Sequence, residues 1–306
     1  MWGVHSSKES KVEGVAACKS LAEAVQRDVA LANCLSGSCA QIFTHGPRST
    51  ALNAEFAKPE APSTTKVDKL YIHSPYVATA LWNHPERYEA YLTEQFKLAD
   101  TLRAEGVVFH FVKKPAEEFV AVMQRLRPIL AKHTAKFIFE TPAFNPHPTQ
   151  SYETPAKLNA FCRAMQKACT PWGLCIDTSH LWRSGVDLST WEQAKEWFEG
   201  LEFPKRVELI HFNANLEENF GRGRDVHQIP LAATDGIWAR FVTPELRRKH
   251  DTLRPRDREL LQGSGFFFIV QWAKKNKVPL IFEMNCGTIE DARFLFDILK
   301  LDAAAT

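Results

Sequence analysis

The sequence predicts an α/β protein folded as a closed (β/α)8 barrel, and three observations carry that prediction. Eight short β-rich runs alternate with longer segments of helical patterning. Up to the seventh run they recur every 30 to 37 residues or so, roughly the length of a βαβ unit, and eight such units close into a parallel barrel. The first run is followed by HSSKES, which lacks the Gly-rich phosphate loop that an open, doubly wound sheet would carry there.

The first strand is Trp2 to His5, short and ending at a serine pair. Residues 14–35 place Ala, Leu and Val on one face and read as a helix. AQIFT at 40–44 is the second strand, closed by the turn HGPR, and AKPEAPSTTKV at 57–67 is a loop. LYIH at 70–73 is the third strand, followed by an amphipathic helix over 86–105. VVFHF at 107–111 and KFIFE at 136–140 are β-branched and aromatic strands, separated by a helix over 117–133. A helix over 158–168 leads to GLCID at 173–177, and a helix over 191–200 leads to RVELIHF at 206–212. The eighth unit is a helix over 262–276 and the strand VPLIFE at 278–283. The seventh and eighth strands are about twice as far apart as the others, so 213–265 is an elaborated loop region. Its first part, 213–230, is polar and irregular; 241–260 is strongly charged and reads as solvated surface. No repeat, low-complexity tract or Pro/Ser linker interrupts the chain, so 1–306 is expected to be one domain.

Composition allows a large core: 306 residues, 45% hydrophobic and 24% charged. No run approaches the ~18 apolar residues of a membrane span. The opening MWGVHSSKESK lacks the basic-then-apolar pattern of a secretory leader. Seven cysteines, an odd number with no C-x-x-C, point to free thiols in a reducing, intracellular setting, cytoplasm, nucleus and virion being left open. A disulfide joining Cys34 to Cys39 or to Cys18 is left open as well. The net charge of +2 is too small to announce nucleic acid by itself.

The chemistry lies at the strand ends. Strand three ends in His73, strand four carries His110, and strand five ends in Glu140. Strand six ends in Asp177 with His180 beyond it, strand seven carries His211, and strand eight ends in Glu283. The loop after strand seven adds Asp225 and His227. In a barrel all strand C-termini open on one face, so these nine residues would converge there. Taken singly, His73 or His110 would be an ordinary hydrogen-bonded core histidine, and Glu140 or Glu283 a partner for Arg or Lys. Six consecutive strands ending on a ligand-type residue outweigh that reading. His5, His45, His84, His133, His147 and His250 fall outside the pattern, with His5, at the end of strand one, nearest to it. Cys175 faces the same side as Asp177 and is read as barrel packing; so are Trp82, Trp182 and Trp238 near the rim.

Five neutral imidazoles and four carboxylates carry a charge of −4. One divalent ion would leave −2 in a buried cup, two would balance it, and three would leave +2, suited to an anionic ligand. Imidazole with carboxylate favours zinc, with manganese or iron as alternatives. Nine ligands shared among three ions leave open positions, which belong to catalysis.

The segments LYIHSPY, VVFHF, FIFETP, GLCIDTSH, HFNANLEENFGRGRDVH and LIFEMN resemble, in order, the metal-binding segments of endonuclease IV-type apurinic/apyrimidinic (AP) endonucleases. AQIFTHGPR resembles that family's early DNA-contacting loop. The details around that loop and around ETPAFNPHPTQSY are similar to the compact versions of large DNA viruses. The resemblance spans nearly the whole chain. It implies a zinc-dependent hydrolase that cuts duplex DNA 5′ to an abasic site, leaving a 3′-hydroxyl and a 5′-deoxyribose phosphate. It implies three zinc ions per chain, with manganese as the alternative at one site. By position, His73, His110 and Glu140 would hold the first ion. Glu140 would bridge to the second, held also by Asp177, His211 and Glu283. His180, Asp225 and His227 would hold the third. Glu140, Asp177 and Glu283 would be the catalytic carboxylates, around a hydroxide that attacks phosphorus. Tyr76, with Val77 beside it, would enter the minor groove, and Arg48 would insert near the abasic nucleotide. Lys113, Lys114, Arg183, Arg222 and Arg224 fall in predicted loops on the same face and suit a phosphate-binding rim; Arg247 to Lys249 and Arg254 to Arg258 read equally well as solvated charge. The expected partner is double-stranded DNA with an abasic site, bound by a monomer, with no membrane. The chain departs from the family pattern at Ala214 (usually Asp), at Val226 (usually Arg) and in IPLAATDG, all in the loop of the third ion.

Two other functions fit parts of the pattern. A xylose isomerase-type sugar isomerase or epimerase shares the barrel and uses one or two divalent ions, but has no need of Asp225 and His227. A DNA-binding module with vestigial metal sites would not need every ligand position filled.

Overall fold

The computed structural model of the chain describes residues 2–6, 17, 23–25, 38–46, 48–54, 56, 67–143, 151–231, 235–248, 254–283 and 288–303. Eight parallel strands close into a barrel in sequence order: β1 Trp2–Ser6, β2 Ser38–Phe43, β3 Lys69–His73, β4 Gly106–His110, β5 Lys136–Glu140, β6 Trp172–Asp177, β7 Val207–His211 and β8 Leu280–Phe282. Closure is made by β1 against β8, with Val4 opposite Phe282. The expected (β/α)8 barrel is therefore the fold.

The helices are α1 Pro85–Leu102, α2 Ala116–Leu130, α3 Pro155–Met165, α4 Thr178–Arg183, α5 Trp191–Glu199, α6 Pro244–Arg248, α7 Pro255–Gln262, α8 Gly265–Asn276 and α9 Ile289–Ala303. Sequence reading missed α9. It also took the charged stretch 241–260 for loop, yet α6 lies within it and α7 begins in it, and the two helices bury Leu246, Asp257 and Leu261. Proline at the start of α7 removes an N–H that would be unsatisfied anyway. The eighth strand is shorter than its apolar run, since Pro279 cannot donate to a ladder. Of the helix expected over 14–35, only Ala17 and 23–25 are described; 23–25 is helical and Ala17 is not. Val67 apart, the loop at 57–67 lies outside the described residues, as do 144–150, Cys18, Cys34 and Cys286. Cys39 is a free, buried thiol, which rules out its pairing with Cys34.

Strand periodicity decides what the barrel encloses. Side chains alternate between the outer helix layer and the lumen. Cys39, Tyr71, Val108, Ile138, Cys175, Leu209 and Ile281, one from each of seven strands, form an apolar cluster separate from the main core. This cluster plugs the lumen, as side-chain layers do in such barrels. The next lumen position along each strand is two residues on. Those positions are Gln41, His73, His110, Glu140, Asp177, His211 and Glu283, the last immediately past β8. The polar ring therefore sits on a dry floor at the C-terminal ends of the strands.

Candidate metal centre

The ring is buried. His73, Glu140, Asp177, His180 and His211 are each at most 1% exposed. Glu140 lies at its middle. One oxygen, Oε2, is 3.2 Å from His73 Nε2 and 3.1 Å from His110 Nε2; the other, Oε1, is 2.8 Å from His211 Nδ1. His211 Nδ1 is also 3.5 Å from Asp177 and 3.6 Å from Glu283. An irregularity in the β6–β7 register, at Leu174 and Cys175, sets Asp177 directly opposite His211. His180 is carried by α4, whose N-terminus Asp177 caps by accepting from His180 N–H at 2.8 Å. Beyond it, Asp225 is bracketed by His180 Nε2 at 3.0 Å and His227 Nε2 at 3.2 Å, and His227 Nδ1 reaches Glu283 at 3.0 Å.

Ligand-type atoms fall into overlapping groups: His73, His110 and Glu140; Glu140, Asp177, His211 and Glu283; and Asp177, His180 and His227. The first two coincide with the first two ligand sets expected from the resemblance. In the third, Asp177 takes the place expected of Asp225, which instead lies between the two histidines. Cys175 groups geometrically with Glu140 and His211. Its burial pushes the thiol up to about 12, and it belongs to the apolar floor, so we assign it to packing.

The ring nitrogens are sorted in the way that metal ligands require. His73 Nδ1–H donates to the Ser74 carbonyl and His180 Nδ1–H to the Thr141 carbonyl, both at 2.7 Å. The opposite nitrogen of each ring faces the carboxylates. Such outside carbonyl partners fix the tautomer of ligating histidines. His110 Nε2 is buried beside Glu140 with no hydrogen-bond partner among the described residues. An orphaned imidazole nitrogen among carboxylates fits a cation, and imidazole–carboxylate donors fit zinc.

Charge distribution agrees. Burial alone would depress the histidines, but for His180 it is outweighed by Asp177, Asp225 and Glu140, which hold its proton up to about 10. His227 is likewise raised well above its ordinary value, Glu283 and Asp177 outweighing its burial. His211 is raised too: burial opposes, and Cys175, Glu283 and Glu140 act against it. Since Cys175 is a neutral thiol, the two carboxylates are the effective cause. His110 goes the other way, pulled down to about 4 by burial. Glu140 and Glu283 are held well below the carboxylate range; burial would raise them, and the surrounding histidines prevail. Protons on His180, His211 and His227 thus neutralise carboxylates that cations would otherwise neutralise.

The loop carrying Asp225 and His227 is held by contacts that sequence reading did not identify. Ala214 and Gln228 exchange two backbone hydrogen bonds at 2.9 Å. Asn219 donates to Asn215 at 2.8 Å and accepts from Arg224 N–H at 3.0 Å. Gly223 has φ +79°, and a Cβ there would lie 2.1 Å from Asn219 Oδ1. Ser179 donates to Asp225 at 3.2 Å and to the Val226 carbonyl at 3.1 Å. Ala214 and Val226, the departures from the family pattern, therefore contribute backbone to the loop.

Other participants were missed as well. Asn213 donates to Asp177 at 3.2 Å and to Glu283 at 3.1 Å. Gln41 accepts from His211 at 2.9 Å. His5, placed outside the ligand pattern, contacts Glu283 at 3.1 Å, because β1 sets it opposite Gln41. The parity of Cys39 and Gln41 was the available signal for the latter.

On the rim, Tyr76 and Val77 are 43% and 37% exposed, unusual for large apolar side chains. The Tyr76 ring lies 4.8 Å from that of His110. Arg48, Lys113, Arg222 and Arg224 are exposed, without carboxylate partners among the described residues. Lys114 pairs with Glu118 at 3.0 Å, and Arg183 donates to the Gly223 carbonyl at 2.9 Å, tying α4 to the third-group loop. Trp82, Trp182 and Trp238 are packed, at most 7% exposed.

Fold and site together define a (β/α)8 barrel with a buried His–carboxylate centre at its C-terminal mouth. No family model matches the chain. Among curated proteins it is similar to "Probable AP endonuclease" of African swine fever virus (isolate Tick/Malawi/Lil 20-1/1983), with 25% identity over 261 residues, covering 81% of this chain and 79% of the relative. Among solved structures it is similar to "AsfvAP:AG", with TM-score 0.75, 19% identity, and coverage of 100% of this chain and 99% of that one. It is also similar to endonuclease IV from Thermus thermophilus, with TM-score 0.63, 21% identity and 99% of both chains covered. The resemblance to endonuclease IV-type AP endonucleases, viral versions included, is borne out by the names of these relatives. Among the described residues no helix is long and apolar enough to cross a membrane.

Proposed function

We propose that this chain is a hydrolase of the endonuclease IV type, cutting duplex DNA 5′ to an abasic site and leaving a 3′-hydroxyl and a 5′-deoxyribose phosphate. The observation that carries it is the third ligand group. His180 and His227, with Asp225 between them at 3.0 and 3.2 Å, adjoin the paired groups around Glu140. A sugar isomerase working with one or two ions has no use for that group.

In this reading three zinc ions are held by His73, His110, Glu140, Asp177, His180, His211, Asp225, His227 and Glu283, with manganese as the alternative at one site. Bound divalent ions would supply an activated water and screen the charge of the phosphate and of the leaving oxygen. Glu140 faces histidines of both the first and second groups and is suited to bridge them. Asp177 lies 3.5 Å from His211 and 3.9 Å from His227, linking the second group to the third. Glu283 is fixed by Asn213 and faces His211 and His227. Arg48, Lys113, Lys114, Arg222 and Arg224 would contact backbone phosphates, and Tyr76 with Val77 would fill the minor groove. An abasic nucleotide is weakly stacked, so turning it toward the cup costs little. The chain acts as a monomer on double-stranded DNA, and 1–306 forms one domain.

The test is a duplex with a single abasic analogue, incubated with protein before and after chelator treatment. Incision on the 5′ side, lost with chelator and restored by zinc, is expected. No metal-dependent incision, or incision on the 3′ side, would end the proposal.

A further inference from the structure

Gln41 belongs to β2, the strand that contributes no ligand-type residue to the ring. It is fully buried, and its amide is used on both sides. Its orientation follows from chemistry. Glu283 Oε1 only accepts, so the amide nitrogen must face it, at 3.3 Å. That nitrogen also faces His5 Nδ1 at 2.9 Å. The amide oxygen is left toward His211 Nε2, at 2.9 Å. An amide oxygen only accepts, so His211 Nε2 carries a proton. The nitrogen aimed at Glu140, Asp177 and Glu283 is then Nδ1. His73 and His180 have backbone carbonyls in this role; His211 has a side chain, and a side chain can be changed.

We propose that Gln41 is a positioning residue of the metal centre: it fixes His211 as an Nδ1 ligand and braces Glu283 from the same amide. The inference rests on the metal-centre reading above. A partner of this kind outside the ligand shell typically contributes about 10- to 100-fold in metal affinity.

Two substitutions separate this role from packing. Gln41→Met keeps the length and unbranched shape but removes the contacts to His211, Glu283 and His5. Gln41→Glu keeps an oxygen acceptor for His211. Each protein is stripped of metal and titrated with zinc against a chromophoric chelator, with circular dichroism verifying the fold. Imidazole 15N spectra of the zinc-loaded proteins report which His211 nitrogen keeps its proton. The wild type is expected to bind zinc with His211 protonated at Nε2. Gln41→Met should weaken one class of zinc site by about 10- to 100-fold and lose the single Nε2–H signature. Gln41→Glu should recover the single Nε2–H signature but not the full zinc affinity, since it keeps the acceptor for His211 and loses the donor to Glu283.

A folded Gln41→Met protein with unchanged zinc affinity would overturn the proposal. So would a Gln41→Glu protein in which His211 no longer keeps its proton on Nε2, since either result reduces Gln41 to packing. A wild type that takes up no zinc would remove the metal-centre reading, and this inference with it. That failure is distinguishable because it shows before any variant is made.

Discussion

Glu140→Gln is the substitution that tests the centre most directly. The change preserves shape and removes one charge from a side chain 1% exposed. Glu140 touches three imidazoles, at 3.2, 3.1 and 2.8 Å. A neutral amide offers one acceptor oxygen and no charge, so all three contacts lose their anionic partner and at least one loses its acceptor. In the metal-free protein, breaking a buried ion pair from one side costs about 3–5 kcal/mol. Since neighbouring histidines hold Glu140 well below 4.5, that contribution is present above pH 4.5 and disappears as acid protonates the wild type. The destabilisation should therefore be largest near neutrality and shrink at low pH. For catalysis, losing one pre-organised electrostatic group typically costs about 10²- to 10³-fold, or 2.7–4 kcal/mol. Glu140 serves two ligand groups, so the loss should reach at least the upper figure. DNA affinity should change by less than about tenfold, or 1.4 kcal/mol, because Arg48, Tyr76, Arg222 and Arg224 lie on the rim. Single-turnover incision and fluorescence anisotropy on the same abasic duplex measure the two effects separately. A variant that cuts within tenfold of wild type at equal metal content would refute the reasoning.

Three further outcomes are expected. His180 is held at about 10, so loading the stripped protein at pH 8 should release its proton, and His211 and His227, also raised, should add to that release, measurable by calorimetry in buffers of different ionisation enthalpy. Metal affinity should then rise with pH, whereas the stability that the His180 proton gives the stripped protein is complete below 6.5 and lost as pH climbs through about 10; affinity independent of pH would contradict the proton competition. Gly223→Ala places a Cβ 2.1 Å from Asn219 Oδ1 at φ +79°, so it should cost about 1–3 kcal/mol and lower zinc content at the third group alone, read by elemental analysis and denaturant unfolding. Arg48→Ala and Tyr76→Ala should each reduce preference for abasic over intact duplex by about tenfold or more, by the 1–3 kcal/mol scale of aromatic–base contacts, and unchanged discrimination in competition binding would remove that residue from recognition.

The ring was legible in the sequence because strand geometry makes it so. A period of two carries each lumen side chain from the apolar floor to the polar rim, so Cys175 is followed by Asp177 and Leu209 by His211. The hydrophobic pattern locates the strands, and chain order places them side by side. Gln41 obeys the same parity two residues after Cys39, but an amide is not a metal ligand, and its use appears only when β7 and β8 are set beside it. His5 escaped for a related reason: burial pulls it below its ordinary value, so it joins the ring as a neutral neighbour of Glu283. At Gln41 the residue type hid a position that the periodicity had already marked.

The loop after β7 obeys no such period. The sequence offered Asp225 and His227 as ligands, but what returns them to the cup is a set of side-chain hydrogen bonds: Asn219 donating to Asn215, Arg224 N–H donating to Asn219, and Ser179 donating to the Val226 carbonyl. None of these depends on the side chains at 214 and 226, where the chain departs from the family pattern. Ala214 and Gln228 use only backbone, and Val226 offers only its carbonyl. The loop can therefore lose those two family side chains and still present Asp225 to His180 and His227. It cannot lose Gly223, since any side chain there meets the Asn219 oxygen that caps the turn. The sensitive residue of the third group is thus a glycine that binds nothing.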